Sequence, residues 1–241
     1  MATTAKYRNT QLEGQSVSYI EADLEAVTVQ NVGSNSVKTS GKFGTNGTFL
    51  DRQSGEVYGI ACASKGVAVR PNGTLHAKGY KRGTMVCFNT PGGTRSISVP
   101  IINAIKDAGY PLDWINWAIG GMSLHCDRST FDNNETAFTK EVVSVENANG
   151  INGVSPAYKA NRTAIGYKQS TRKIILVAAS NATPFQMRSI LKQLGADYGV
   201  MLDGSDLSQM RGKKSDGTTA DANTNSTLVW HMVTVDPSNW A

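Results

Sequence analysis

Five short segments of this 241-residue chain carry residues able to do chemistry, each at the edge of an apolar run. Between Gly199 and Met210 the apolar stretch ends in Asp203, followed at once by Gly204, Ser205, Asp206 and Ser208. A carboxylate at the C-terminal end of a buried strand, beside small hydroxyls, is a common address of site residues in α/β proteins. The same residues also suit an Asx-turn leaving a strand. Asn46 precedes Gly47, with Asp51 shortly after. Its amide can bond a ligand hydroxyl while Gly47 lets the backbone come close, although an Asn-Gly pair equally signals a hairpin. Arg82 and Arg162 each stand at the start of a strand-like run. A guanidinium holds two phosphate oxygens at once, whereas most single arginines merely cover surface. Gly120 and Gly121 follow another apolar run and can offer backbone N–H groups to an anion. His125 can transfer a proton, and the sequence around it favours a structural role.

Strands must position most of these residues. Val17 to Val32 contains two stretches rich in β-branched residues, and Val57 to Arg70 contains two more around Ser64-Lys65-Gly66. Pro71-Asn72-Gly73 reads as a hairpin turn leading towards the strand Thr84 to Phe88. A first helix is expected from about Val99 to Ala108, with Pro100 in its first turn, an Ile101/Ile102/Ile105 face and Gly109 as its cap. Residues 127–160 are polar and weakly periodic, and read as a long loop over the site. Paired strands follow at Thr163–Tyr167 and Lys173–Ala179. Thr183-Pro184 then starts a helix ending near Leu194, and Tyr198–Leu202 is a buried strand. Thr227–Val235 supplies the last strand.

Hydrophobic residues make up 39% of the chain and charged residues 18%, enough for a core and too few charges for a disordered chain. The length fits one large domain, and no linker, repeat or composition break divides it, so residues 1–241 are taken as a single domain. A net charge of +5 favours an anionic partner. Without long Lys/Arg runs or a binding motif, it does not point to sequence-specific nucleic acid. The three cysteines, Cys62, Cys87 and Cys126, fit no zinc or redox spacing, and the first two lie in apolar runs. No apolar leader opens the chain and no run approaches the roughly 20 apolar residues of a membrane span. A soluble protein without a membrane role, cytoplasmic or virion-associated, is the expectation.

Together the segments resemble the phosphodiester glycosidase family, the uncovering-enzyme-like domains that also occur in bacteria and viruses. The matching residues are Asn46-Gly47-Thr48-Phe49 with Asp51, Ile119 to Leu124, Arg162-Thr163-Ala164-Ile165-Gly166, the helix after Thr183, and Leu202-Asp203-Gly204 through Met210. The likeness covers about residues 14–212. Thr48 departs from a family glycine, Met122-Ser123 from Gly-Pro, and Ser205-Asp206-Leu207 from Gly-Gly-Ser. The resemblance implies a mixed α/β or α+β domain, sheet-dominated, with a few covering helices and a surface cavity.

It also implies hydrolysis of the bond between a sugar's anomeric carbon and a phosphodiester. Asp203 would be the working carboxylate, with Asp51 or Asp206 as its partner. Arg82 and Arg162 would hold phosphate. Asn46, Ser208, Gly47, Gly120, Gly121 and Gly204 would line the sugar site. The partner would be a sugar-phosphate or nucleotide-type small ligand. No cofactor is required; no metal motif is visible, and clustered Asp and carbonyl oxygens leave calcium open. A rival from a different class is a non-catalytic binder of the same ligands, such as a sequestering protein or a viral recognition module. The altered Ser205-Asp206-Leu207 stretch is the feature that favours it.

Overall fold

The structure, a computed structural model, describes residues 4–70, 77, 79–148, 158–223, 225–236, 238 and 240. The Pro71-Asn72-Gly73 turn lies outside the described residues. Three antiparallel sheets and two α-helices make up the described architecture. The first sheet contains β1 (Ala5–Leu12), β2 (Gln15–Asp23), β11 (Met122–Ser123), β12 (Ala160–Lys168), β13 (Lys173–Ala182) and β14 (Tyr198–Met201), in the order β1-β2-β13-β12-β14-β11. The second runs β6 (Val67–Ala68), β5 (Ala61–Ala63), β10 (Ile115–Gly120), β7 (Arg82–Asn89), β8 (Arg95–Ser98), with β9 (Ile101–Ile102) paired to β7. The third runs β16 (Thr219–Ala222), β15 (Met210–Lys213), β4 (Phe43–Asn46), β17 (Trp230–Val235), β3 (Val27–Gly33).

The apolar run of β13 has no polar alternation because both faces of its sheet are covered. Ile174 and Leu176 join a core shared with Met85, Trp117 and Ile119 of the second sheet and Val233 of the third. Ile175 and Val177 point the other way, into a cluster closed by α1 (Glu135–Glu146) and α2 (Pro184–Gln193). Met187, Ile190 and Leu191 of α2 are fully buried there, each contributing about 1.5–3 kcal/mol. The start of α2 follows the sequence closely. Thr183 and Gln186 form a reciprocal capping box and Pro184 occupies the first turn.

Two expectations are corrected. No helix forms over 99–108: Ile101 and Ile102 pair with Gly83 and Arg82, and a 3₁₀ turn, Ile105–Ala108, follows before Gly109. Two adjacent β-branched residues after Pro100 gain more from the edge of β7, where Thr84 N donates to the Pro100 carbonyl at 2.9 Å. The loop expected over 127–160 contains α1, capped by the Asn134 side chain, which accepts from Ala137 N at 3.0 Å. Its buried stripe is Phe138, Val142 and Glu146, and a carboxylate at the third position hides the periodicity. The polar N-terminus also forms β1, turned onto β2 through Glu13 and Gly14, both with left-handed backbones. All three cysteines are buried free thiols, and burial pushes each up to about 12. No helix among the described residues is long and apolar enough to cross a membrane.

Candidate active site

Asp203 leaves the end of β14 and meets the turn after β4. Its Oδ2 accepts from Leu50 N at 3.1 Å and its Oδ1 from Gly204 N at 2.8 Å. The carboxyl is half-buried, and desolvation pushes it up to about 7 although both N–H groups favour the charged form. The Arg52 charge lowers it and the Asp206 charge raises it. Asp203 is thus fixed by its backbone neighbours and balanced between charged and neutral forms near neutral pH.

Asn46 lies beneath it. The amide donates to the Asp203 carbonyl at 2.9 Å, and its Oδ1 accepts from Gln209 N and Thr163 Oγ1, each at 3.1 Å. Thr163 Oγ1 also donates to the Asp203 carbonyl at 2.7 Å. Asn46 is 1% exposed and its polar capacity is committed, so its place is that of a clamp under Asp203 rather than a wall facing a sugar. Ser208 is likewise buried, accepting from Asn223 Nδ2 at 3.2 Å. Gly47 supplies close approach to protein: a Cβ there would lie 2.2 Å from the His231 ring, and its own carbonyl accepts from Asp203 N at 3.2 Å. Thr163, Gln209 and His231 are not among the expected site residues, although Thr163 stands directly after Arg162 in a segment that resembles the family.

The remaining carboxylates differ from Asp203. Asp51 closes an Asx-turn, accepting from Gln53 N, Ser54 N and Ser54 Oγ, and these bonds hold it below the usual carboxylate range. Asp206 is ion-paired with Arg52, a residue the sequence reading passed over, and both side chains are substantially exposed. Among the described residues no cluster of three His, Cys, Asp or Glu could hold a metal ion.

The two arginines separate. Arg162 is buried beneath Gly204, where a Cβ would lie 3.3 Å from Arg162 Cδ. Its Nη2 donates to the Tyr158 carbonyl at 2.7 Å and its Nε to the Ala182 carbonyl at 3.3 Å. Burial brings it down to about 10, opposed by the Asp203 charge. Arg82 faces Glu146 and Tyr80 instead. It is 4% exposed, and its guanidinium donates no hydrogen bond among the described residues.

Gly120 and Gly121 are what let these two regions approach. Gly120 N donates to the Ile60 carbonyl at 2.6 Å and Gly121 N to the Gly83 carbonyl at 2.9 Å, so neither N–H is free for an anion. A Cβ on Gly121 would lie 2.0 Å from the Met201 carbonyl oxygen. One glycine therefore separates β7 from β14, two residues before Asp203. Two described cavities, of about 350 and 590 Å³, lie elsewhere: neither has Asp203, Asn46 or Arg162 in its lining.

The segments that converge here lie within the stretch of sequence, residues 40–230, that matches the family described as phosphodiester glycosidase. The chain belongs to the phosphodiester glycosidase family. No curated protein is significantly similar in sequence. The catalytic domain of zebrafish N-acetylglucosamine-1-phosphodiester alpha-N-acetylglucosaminidase, auto-inhibited by its pro-peptide, has a similar fold. The TM-score is 0.65 at 15% identity, over 97% of this chain and 82% of that one. A hypothetical protein from Synechocystis aligns with a TM-score of 0.55 at 13% identity, over 97% of this chain and 62% of its own. At these identities the likeness speaks for the fold.

Against the phosphodiester glycosidase pattern, the substitutions have visible consequences. Leu207 is buried with Val37, Leu50, Val229 and Met232. Ser205, standing where the pattern has glycine, has φ +60. A left-handed backbone costs a non-glycine residue about 1–2 kcal/mol, partly offset by the greater entropy glycine loses on folding. Ser205→Gly is therefore expected to stabilise the protein by about 0.5–1 kcal/mol, measured as a shift in the urea midpoint at constant slope.

Proposed function

We propose that the chain is a hydrolase that cleaves the bond between a sugar's anomeric carbon and a phosphodiester oxygen. The observation that carries this reading is Asp203, a carboxyl held by Leu50 N and Gly204 N and brought to about 7, within the stretch that matches the phosphodiester glycosidase family. A phosphodiester oxygen leaves readily, so the reaction demands little of a general acid. It needs a carboxylate to steady positive charge at the anomeric carbon or to direct water, and a cation on the phosphate. Asp203 in its ionised form suits the first task. Arg82, buried and donating no hydrogen bond among the described residues, suits the second, since a buried guanidinium with hydrogen-bonding capacity to spare gains most from an arriving anion. Arg162 contributes its charge beside Asp203, its hydrogen bonds being committed elsewhere.

Asn46, Thr163 and Gly47 set the position of the Asp203 backbone, and preorganisation of this kind is what an electrostatic mechanism requires. Asp206 and Arg52 form the exposed edge that a sugar or its aglycone would meet. Incubation with N-acetylglucosamine-1-phosphodiester, beside the matching simple glycoside, tests the reading. Release of free sugar from the phosphodiester and far slower release from the glycoside is the expected result. Ligand retained intact in stoichiometric amount would make the protein a binder.

A further inference from the structure

Glu146 has no part in the reaction above, yet it is a fully buried carboxyl at the end of α1. Both of its oxygens accept from Ser123 N at 3.1 Å, and Oε2 also accepts from Gly83 N at 2.6 Å. At this point β7 and β11 run so close that a Cβ on Gly83 would lie 2.5 Å from Ser123 N. The carboxylate stitches the two strands together and fixes where the neighbouring Arg82 side chain leaves β7. Glu146 is also the acidic group whose charge acts on Arg82; the other influence is Tyr80, its ring centroid 5.5 Å away. Facing Glu146 are Arg82 and Gly83 N from β7, Ser123 N from β11, His125 Nε2 at 4.0 Å, and Glu141 on α1 itself. His125 adds no positive charge at neutral pH, because burial brings it down to about 4.

The geometry points to Glu146 as a positioning residue that makes anion binding at Arg82 depend on proton uptake. This rests on the phosphate role given to Arg82 above. When Glu146 is ionised it is the counter-charge of Arg82. An arriving anion sets a second negative charge against the same guanidinium in a poorly solvated place, and protonation of Glu146 relieves the conflict. Burial already holds Glu146 at about 7, so the proton is available near neutral pH. The coupling is reciprocal: the anion raises the proton affinity of Glu146, and the proton raises the affinity for the anion. Binding is strongest below about 7 and weakens as pH rises through that value.

Inorganic sulfate is a suitable probe because its own charge is constant across this range. Calorimetric titration of the wild-type protein, in two buffers with different ionisation heats, reads affinity and proton uptake together. Sulfate affinity should fall about tenfold from about pH 6 to about pH 8, within the usual span of coupling between sites, with a proton taken up on binding. Glu146→Gln should bind sulfate without this pH dependence, and Arg82→Ala should not bind it. Sulfate binding to the wild-type protein without proton uptake overturns the proposal, and needs no variant to fold. So does an unchanged pH slope in Glu146→Gln, and in that case the phosphate role of Arg82 stands if Arg82→Ala has lost binding. Sulfate binding that survives in Arg82→Ala overturns both.

Discussion

Asp203→Asn is expected to lower turnover of a sugar-1-phosphodiester by about 10²–10³-fold, the loss typical of removing one preorganised electrostatic partner of a transition state. Ligand affinity should survive largely intact, because the carboxylate acts on charge that develops during the reaction. The substitution is not silent for stability. Both Asp203 oxygens accept from backbone N–H groups, so an asparagine must turn its NH₂ toward either Leu50 N or Gly204 N. An unsatisfied donor there costs about 1–3 kcal/mol. The pH dependence separates the two effects. A carboxyl raised to about 7 stabilises the fold below its ordinary range, and that contribution is lost as pH rises through about 7. The stability gap between wild type and Asp203→Asn should therefore narrow from mildly acidic to mildly alkaline pH. Activity should show an acid limb near about 7, since the ionised form does the work. Paired melting and rate profiles read both. A well-folded Asp203→Asn protein with wild-type turnover would remove the assigned role.

Arg162→Ala should unfold the site rather than merely weaken it. The buried guanidinium serves the Tyr158 and Ala182 carbonyls, and each acceptor left without a donor costs about 1–3 kcal/mol. A loss of about 2–5 kcal/mol in urea unfolding is expected, with activity and binding falling together. Arg82→Ala breaks no hydrogen bond among the described residues. It should keep most of its stability and lose about 1.5–3 kcal/mol of phosphodiester affinity, the value of a bond to a charged group. Equal stability losses in the two variants would contradict this division. Their sequence settings are alike, each arginine opening a strand, and only the carbonyls around Arg162 tell them apart.

That contrast shows where sequence reading reached and where it stopped. The strands β12 to β14 and the helix α2 were legible because β-branched runs, a Thr-Pro start and a terminal Gly195 all agree with the fold. The helix expected at 99–108 failed because an open strand edge outcompeted a short apolar face. Helix α1 stayed hidden because Glu146 occupies a core position, held there by two backbone N–H groups that no local pattern announces. Asp203, Asn46 and Arg162 do meet, though up to 157 positions apart. The sequence marked Asn46 as important without saying that its bonds go to the Asp203 carbonyl. The glycine pair reads in the sequence as a source of backbone N–H groups for an anion, but both N–H groups donate to the Ile60 and Gly83 carbonyls, and what Gly121 permits is close approach to the Met201 carbonyl.

Which bond breaks separates a glycosidase from a phosphodiesterase, and hydrolysis of N-acetylglucosamine-1-phosphodiester in ¹⁸O-labelled water reads that directly. Attack at the anomeric carbon places the label in the released sugar, with the phosphate oxygens unlabelled, and Asp203→Asn should slow its appearance by about 10²–10³-fold. Label recovered in the phosphate would mean cleavage at phosphorus, and would contradict a glycosidase built around Asp203.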